Sequence, residues 1–222
     1  MAVNVTDRIA EVRERVGAAA VAAGRRPTDV TIVAVSKGQP DGRIIEARAA
    51  GQVDFGENRA QELVDHAALL GDGPAWHFVG RLQSNKVRVV RPRIVALHSM
   101  DRRSLAEAWI KGPGTPPPVF VQVDLADEPQ KGGIPPSGAG DLVEYCRMIG
   151  VEVRGLMAIP PLGGDARRWF DALAALRDEI EGDVGRLPDL SMGMSADFEE
   201  AIAAGSTVVR LGTTIFGDRS QR

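Results

Sequence analysis

Lys37, with Ser36, ends the run Thr31-Ile-Val-Ala-Val35, which is apolar enough to be a strand buried on both faces. An amine at the end of such a strand is partly desolvated. That disfavours its charged form and makes it a better nucleophile toward an aldehyde. The same lysine could equally reach solvent on its four-carbon stem. Two later segments bear on that choice: Ser191-Met-Gly-Met-Ser195-Ala-Asp197 and Val209-Arg-Leu-Gly212-Thr213-Thr214-Ile-Phe-Gly217. Together they bring small residues, hydroxyls and free backbone N–H groups around the start of a helix expected near Asp197. A phosphate dianion needs close backbone approach, donors aimed one way and the positive end of a helix dipole. Ser195, Gly212 and Thr213 are therefore candidate phosphate ligands, set against a plainer reading as turn glycines and a helix-capping serine. Arg210 stands two residues before the second turn. Facing inward, it could donate to a ring nitrogen of a ligand held by Lys37 and the turn. A guanidinium does not release its proton, so that nitrogen would stay unprotonated and the ring would be a weaker electron sink. An ion pair with a buried carboxylate is the alternative.

Other chemistries find less support. His66, His77 and His98 match no metal-ligand spacing, so no metal is expected, and His77 reads as a hydrogen-bonded strand histidine. The chain has no phosphate-binding P-loop, no nucleophile elbow and no dinucleotide fingerprint. A single cysteine, Cys146, excludes an internal disulfide and reads as a buried helical thiol. The one tyrosine, Tyr145, lies in the same helical stretch and is expected on an outer surface. A net charge of −3 leaves no footprint for nucleic acid or an anionic membrane, and the basic run Lys86–Arg93 reads as a solvated helix face. No apolar run approaches the ~18 residues of a membrane span. The charged, amphipathic start is unlike a signal peptide, so the expected compartment is the cytoplasm.

The elements that must position these residues alternate. Candidate strands cover 30–35, 53–55, 76–79, 94–97, 119–123, 152–157, 190–192 and 207–211. Helical patterns lie near 41–50, 58–70, 82–90, 101–111, 137–149, 165–182 and 197–204, and an extra helix at 5–23 precedes the first strand. Strand–helix alternation implies parallel strands with right-handed crossovers. Eight such units suit an α/β chain closed into a single (β/α)8 TIM-type barrel, which typically takes ~250 residues. A doubly wound open sheet is the structural alternative. No linker divides the chain, so residues 1–222 are expected to form one domain. In a barrel, function gathers at the C-terminal strand ends. Those ends are Ser36-Lys37, Gly56-Glu57-Asn58, Gly80-Arg81, Ser99, Asp124, Pro160, Ser195 and Gly212-Thr213-Thr214. The loop 127–136, on that same face, reads as a flap.

Several segments resemble one known family. They are Ala34-Val-Ser-Lys37, Phe55-Gly-Glu-Asn58, Trp76-His-Phe-Val-Gly80 with Leu82-Gln-Ser-Asn-Lys86, and Gly155-Leu-Met157. Toward the C-terminus come Leu190-Ser-Met-Gly-Met-Ser195 with Asp197, and Val209-Arg-Leu-Gly-Thr213 with Ile215-Phe-Gly217. In this order and spacing the chain resembles, over essentially its whole length, the pyridoxal 5′-phosphate (PLP) homeostasis proteins. The resemblance implies a fold-type III PLP barrel, similar to the N-terminal domain of alanine racemase without its second domain. It implies PLP as a Schiff base on Lys37, phosphate contacts from Ser195, Gly212 and Thr213, Arg210 near the pyridine nitrogen, and Asn58 in the pocket wall. It further implies a carrier, reservoir or regulator of PLP that influences amino- and keto-acid pools without established turnover. PLP-dependent apo-enzymes are the implied recipients, and the chain is expected as a monomer or weak dimer. Arg59 stands where the family usually shows tyrosine, and the loop Lys131-Gly-Gly-Ile-Pro-Pro136 is richer in proline than usual.

Three functions remain open at this point: a PLP carrier, an amino-acid racemase or other fold-type III PLP enzyme, and a barrel that uses Lys37 as an aldolase-like amine on another phosphorylated metabolite.

Overall fold

A computed structural model describes residues 4–161, 163 and 165–217. The strands are β1 (Thr31–Val35), β2 (Asp54–Glu57), β3 (Ala75–Phe78), β4 (Ala96–Met100), β5 (Val119–Val123), β6 (Val153–Ala158), β7 (Asp189–Ser191) and β8 (Val208–Leu211). They pair in parallel in sequence order and close into a barrel. Closure is made by β8 returning to β1, with Thr31 opposite Val208 and Ala34 opposite Leu211. The open-sheet alternative is thereby excluded.

The surrounding helices are α1 (Val5–Ala22), α2 (Asp41–Ala49), α3 (Ala60–Leu70), α4 (Val87–Val90), α5 (Arg103–Ile110), α6 (Pro136–Met148), α7 (Ala166–Val184), α8 (Phe198–Ala203) and α9 (Thr213–Phe216). The extra helix α1 starts where the Asn4 side chain accepts from the Asp7 N–H at 2.7 Å. Its buried residues Val5, Ile9, Val12, Val16 and Ala20 recur every three or four positions, as one helix face requires. Most of the core lies between helices and strands. Inside the barrel the apolar filling is thin, comprising Val33, Ala96, Phe120, Met157 and Val208. Among these lie the polar side chains of His77, His98, Ser191 and Arg210.

Four expectations need correction. Strand β4 runs to Met100, past the expected end at Leu97: buried His98 is satisfied by His77 and Ser191, and buried Ser99 by the Gly80 carbonyl, so neither polar residue ends the strand. The stretch 82–90 is one α-helical turn between two 3-10 turns, Ser84–Lys86 and Arg91–Arg93, and Pro92 cannot donate to continue a helix. Arg91, read as solvated, is buried and donates to the carbonyls of Trp109 and Gly114, tying down the turn after α5. The loop after β5 is also more integrated than a flap. Ile134 exchanges backbone hydrogen bonds with Gln122 and Asp124, and the Gln122 amide donates to the carbonyls of Lys131 and Gly132. The short helix α9, absent from the sequence reading, opens at the second proposed phosphate turn.

Candidate functional site

The C-terminal strand ends enclose a cavity of about 590 Å³, and Lys37, Asn58, Ser195, Arg210, Gly212 and Thr213 all line it. Each reaches it through local packing that the sequence specifies.

Lys37 stands two residues beyond the end of β1, and the intervening Ser36 is locked. The Ser36 N–H donates to the Gly56 carbonyl at 3.0 Å, and its hydroxyl donates to Glu57 Oε1. The same carboxylate oxygen lies 2.8 Å from His66 Nδ1 of α3. Burial pushes the Glu57 carboxyl up, against the hydrogen bonds from His66 and Ser36. The Glu57 hydrogen bond in turn holds His66 above its ordinary value. Asn58 follows β2 and lies beside Gly80, where any Cβ would lie 2.3 Å from the Asn58 carbonyl oxygen. Only glycine permits that approach.

The two phosphate-turn segments meet at one atom. Ser195 Oγ accepts from the N–H groups of Gly212 and Thr214, each at 3.2 Å. Asp197, not Ser195, is the N-cap of α8, and Asp197 Oδ1 accepts from the Met194 N–H at 2.6 Å. Gly193 (φ +94°) turns the chain out of β7 in the left-handed region that glycine adopts without strain.

Arg210 faces inward from β8 and is 5% exposed. Its Nη1 donates to the carbonyl and hydroxyl oxygens of Ser191 at 2.7 and 2.6 Å, and its Nη2 donates to the Ala158 carbonyl at 3.0 Å. Those bonds engage three of the five guanidinium N–H groups, and the other two have no described protein partner. No described carboxylate forms an ion pair with it, which removes the alternative considered for this residue. Burial lowers its pKa to about 10, and Asp197 opposes the shift, so it remains a cation at neutral pH.

Arg81 and Lys131 join Lys37 and Arg210 in the lining, which contains no aspartate or glutamate. Lys131 donates to Glu128 Oε2 and, at 3.0 Å, to the Pro160 carbonyl. Its place over the cavity follows from the anchoring of the β5 loop, a tertiary contact that local pattern does not announce. Other candidates fall outside the lining. Ser99 donates to the Gly80 carbonyl, and Asp124 Oδ1 accepts from the N–H groups of Ala126 and Glu128. Arg59 pairs with Glu62 and borders a neighbouring cavity of about 370 Å³. Tyr145 is on the outer ring, where its hydroxyl donates to Glu107 at 2.8 Å. Cys146 is fully buried, and burial pushes its thiol up to about 12.

No family model matches the chain. The pyridoxal phosphate homeostasis protein of Aquifex aeolicus (strain VF5) is 40% identical over 225 residues, which span 97% of this chain and 99% of that one. This chain belongs to the pyridoxal phosphate homeostasis protein family. Within the solved structures, PipY of Synechococcus elongatus PCC7942, determined with PLP bound, superposes with a TM-score of 0.84 at 34% identity. That match covers 96% of this family member and all of PipY (100%). Alanine racemase from Corynebacterium glutamicum shares the barrel at a TM-score of 0.74. At 15% identity, and with only 61% of the racemase covered, that likeness concerns the fold alone. No helix among the described residues is long and apolar enough to cross a membrane.

Proposed function

We propose that this protein holds PLP as a Schiff base on Lys37 and serves in the cytoplasm as a carrier and reservoir of that cofactor, without catalytic turnover. The observation that carries the reading is convergence in one cavity. A lysine, an arginine with two spare N–H groups, and a turn whose N–H groups gather on a serine hydroxyl share a lining that holds four basic side chains in all, these two included, and no carboxylate. That donor set fits a molecule with an aldehyde, a phosphate and an acceptor nitrogen.

When bound, PLP supplies an electron-accepting ring. The Lys37 amine supplies the covalent attachment. Ser195, Gly212 and Thr213 hold the phosphate, helped by Thr214 N–H, and Asn58 forms part of the wall. Arg210 meets the pyridine nitrogen and, as a cation that keeps its proton, leaves the ring a weaker electron sink. Racemisation needs an acid and a base on opposite faces of a carbon. The lining offers lysines for that work, with Lys37 committed to the cofactor and Lys131 engaged by Glu128 and Pro160. Its relatives' name supports the homeostatic role. PLP-dependent apo-enzymes are the proposed recipients, and the chain acts as one domain, as a monomer or weak dimer.

The direct test is borohydride reduction of PLP-loaded protein followed by peptide mass spectrometry. One adduct, on the peptide carrying Lys37, is the expected result. Lys37→Ala should lose the visible absorbance of the lysine–cofactor linkage while keeping the wild-type circular dichroism. A stoichiometric adduct on Lys86 or Lys131 in that variant would overturn the assignment.

A further inference from the structure

A line of hydrogen bonds crosses the barrel lumen from end to end. Arg210 Nη1 lies 2.6 Å from Ser191 Oγ, and that oxygen lies 2.8 Å from His98 Nδ1. His98 Nε2 is 2.9 Å from His77 Nδ1, and His77 Nε2 is 3.1 Å from Asp54 Oδ1. The five residues come from β8, β7, β4, β3 and β2. Ser191 and His98 are fully buried, His77 is nearly so, and the Asp54 side chain is 31% exposed at the opposite end from the cavity. His98 also stacks on Phe120, ring centroids 4.5 Å apart, which fixes its plane.

We infer that Ser191, His98, His77 and Asp54 form a one-way hydrogen-bond chain whose task is to position Arg210 in the cofactor cavity. The direction follows from the two ends. A guanidinium only donates, so Ser191 Oγ accepts from Arg210 and turns its own proton to His98 Nδ1. His98 Nδ1 is then bare and the proton of this neutral imidazole sits on Nε2, from which it donates to His77 Nδ1. His77 in turn carries its proton on Nε2 and donates to the Asp54 carboxylate, which only accepts. Every member donates to the next and none is left unsatisfied. The opposite polarity would set a bare His77 nitrogen against the Asp54 carboxylate unless His77 were charged. Burial, with His77 and Arg210 nearby, holds His98 well below the ordinary histidine value, in accord with a neutral ring.

Such a network is costly to bury unless it is complete, and a complete one fixes a single geometry. Here it fixes the face that Arg210 turns to the cavity. Ser191 draws Nη1 down into the lumen, leaving the two unengaged N–H groups for a ligand. The four residues are positioning residues: none lines the cavity.

The inference rests on Arg210 serving the cofactor, so its test has two arms that fail separately. The first uses ligand-free wild-type protein and 15N NMR of the histidine side chains near neutral pH. His98 and His77 should both appear as the Nε2–H tautomer. A proton on Nδ1 of His98, or a charged His98, overturns the chain whatever the protein binds. The second arm measures PLP affinity by equilibrium titration. Ser191→Ala and His98→Phe should each weaken binding about tenfold, as expected for one lost hydrogen bond to a charged group. His98→Gln should recover most of the loss, because its carbonyl can accept from Ser191 and its amide can donate to His77. Equal losses in His98→Phe and His98→Gln, or no loss in Ser191→Ala, would overturn the positioning role. Failure of wild-type protein to bind PLP would instead overturn the functional reading and leave the first arm standing.

Discussion

Ser195 accepts from two backbone N–H groups that open α9, so its hydroxyl holds together the ends of β7 and β8. A phosphate seated against this turn would take over N–H groups that now converge on Ser195 Oγ, already aimed at one point. Charge-assisted hydrogen bonds contribute roughly 1.5–3 kcal/mol each, and losing several should cost at least two orders of magnitude in affinity. Pyridoxal, which has the aldehyde and ring but no phosphate, should therefore bind at least a hundredfold more weakly than PLP in an equilibrium titration. Equal affinities would reduce the site to Lys37 alone. These residues were legible in sequence because each lies in a short polar or glycine-rich run ending an apolar strand. Arg81 stood out at a strand end for the same reason. Ser191, at the start of the first phosphate segment, and His98 carried no signal of a shared role: that appears only when the barrel closes and brings β4 and β7 to within hydrogen-bonding reach across the lumen.

Between elements, the Glu57–His66 contact ties β2 to α3 directly behind the strand that presents Lys37. The hydrogen bond from His66 to Glu57 raises the histidine's pKa from 6.5, against the effect of burial. A group with a raised folded pKa adds stability that is full below its unfolded value and is lost as pH rises through the folded one. His66→Gln keeps a donor for Glu57 but carries no charge. Its deficit relative to wild type in urea unfolding should be about 1–2 kcal/mol at pH 6 and should shrink toward pH 9. A deficit that stayed constant or grew with pH would show that His66 acts through packing alone. Element boundaries were readable wherever apolar and polar residues alternate cleanly. They failed at β4, where the polar pair His98-Ser99 precedes the apolar Met100 and breaks the expected pattern, and at 82–90, where Pro92 and short turns replace a helix.

For the whole molecule, eight parallel strands in sequence order were visible as a repeated strand–turn–helix pattern, and closure followed from there being enough of them. What the pattern could not reveal was which side chains share the lumen, since that depends on the stagger between strands. The closed barrel also determines what the protein lacks around its cavity. Its only tyrosine, Tyr145, is bonded to Glu107 on the outer ring. PLP-loaded protein incubated with L-alanine in D2O should show no racemisation at an enzymatic rate. Inversion at about 1 s⁻¹ or faster, the low end of ordinary turnover, would make the protein a racemase. Slow deuterium uptake with retained configuration would not.

The lining of the cavity also governs how fast it fills. The chain carries a net charge of −3, yet the mouth of the barrel presents Lys37, Arg81, Lys131 and Arg210; Arg81 pairs with Asp101 and Lys131 with Glu128, while Arg210 has no described carboxylate partner. An incoming anion is repelled by the molecule as a whole and drawn to one opening, a field that guides diffusion before any contact is made. Screening shortens that guidance from ~30 Å at 0.01 M salt to ~8 Å at 0.15 M. In stopped-flow mixing, the second-order capture rate for PLP should fall steeply with ionic strength, while the rate at which seated PLP leaves should change little. A reservoir built this way would fill quickly when the surrounding solution is dilute and slowly when it is salty, with its store retained in both.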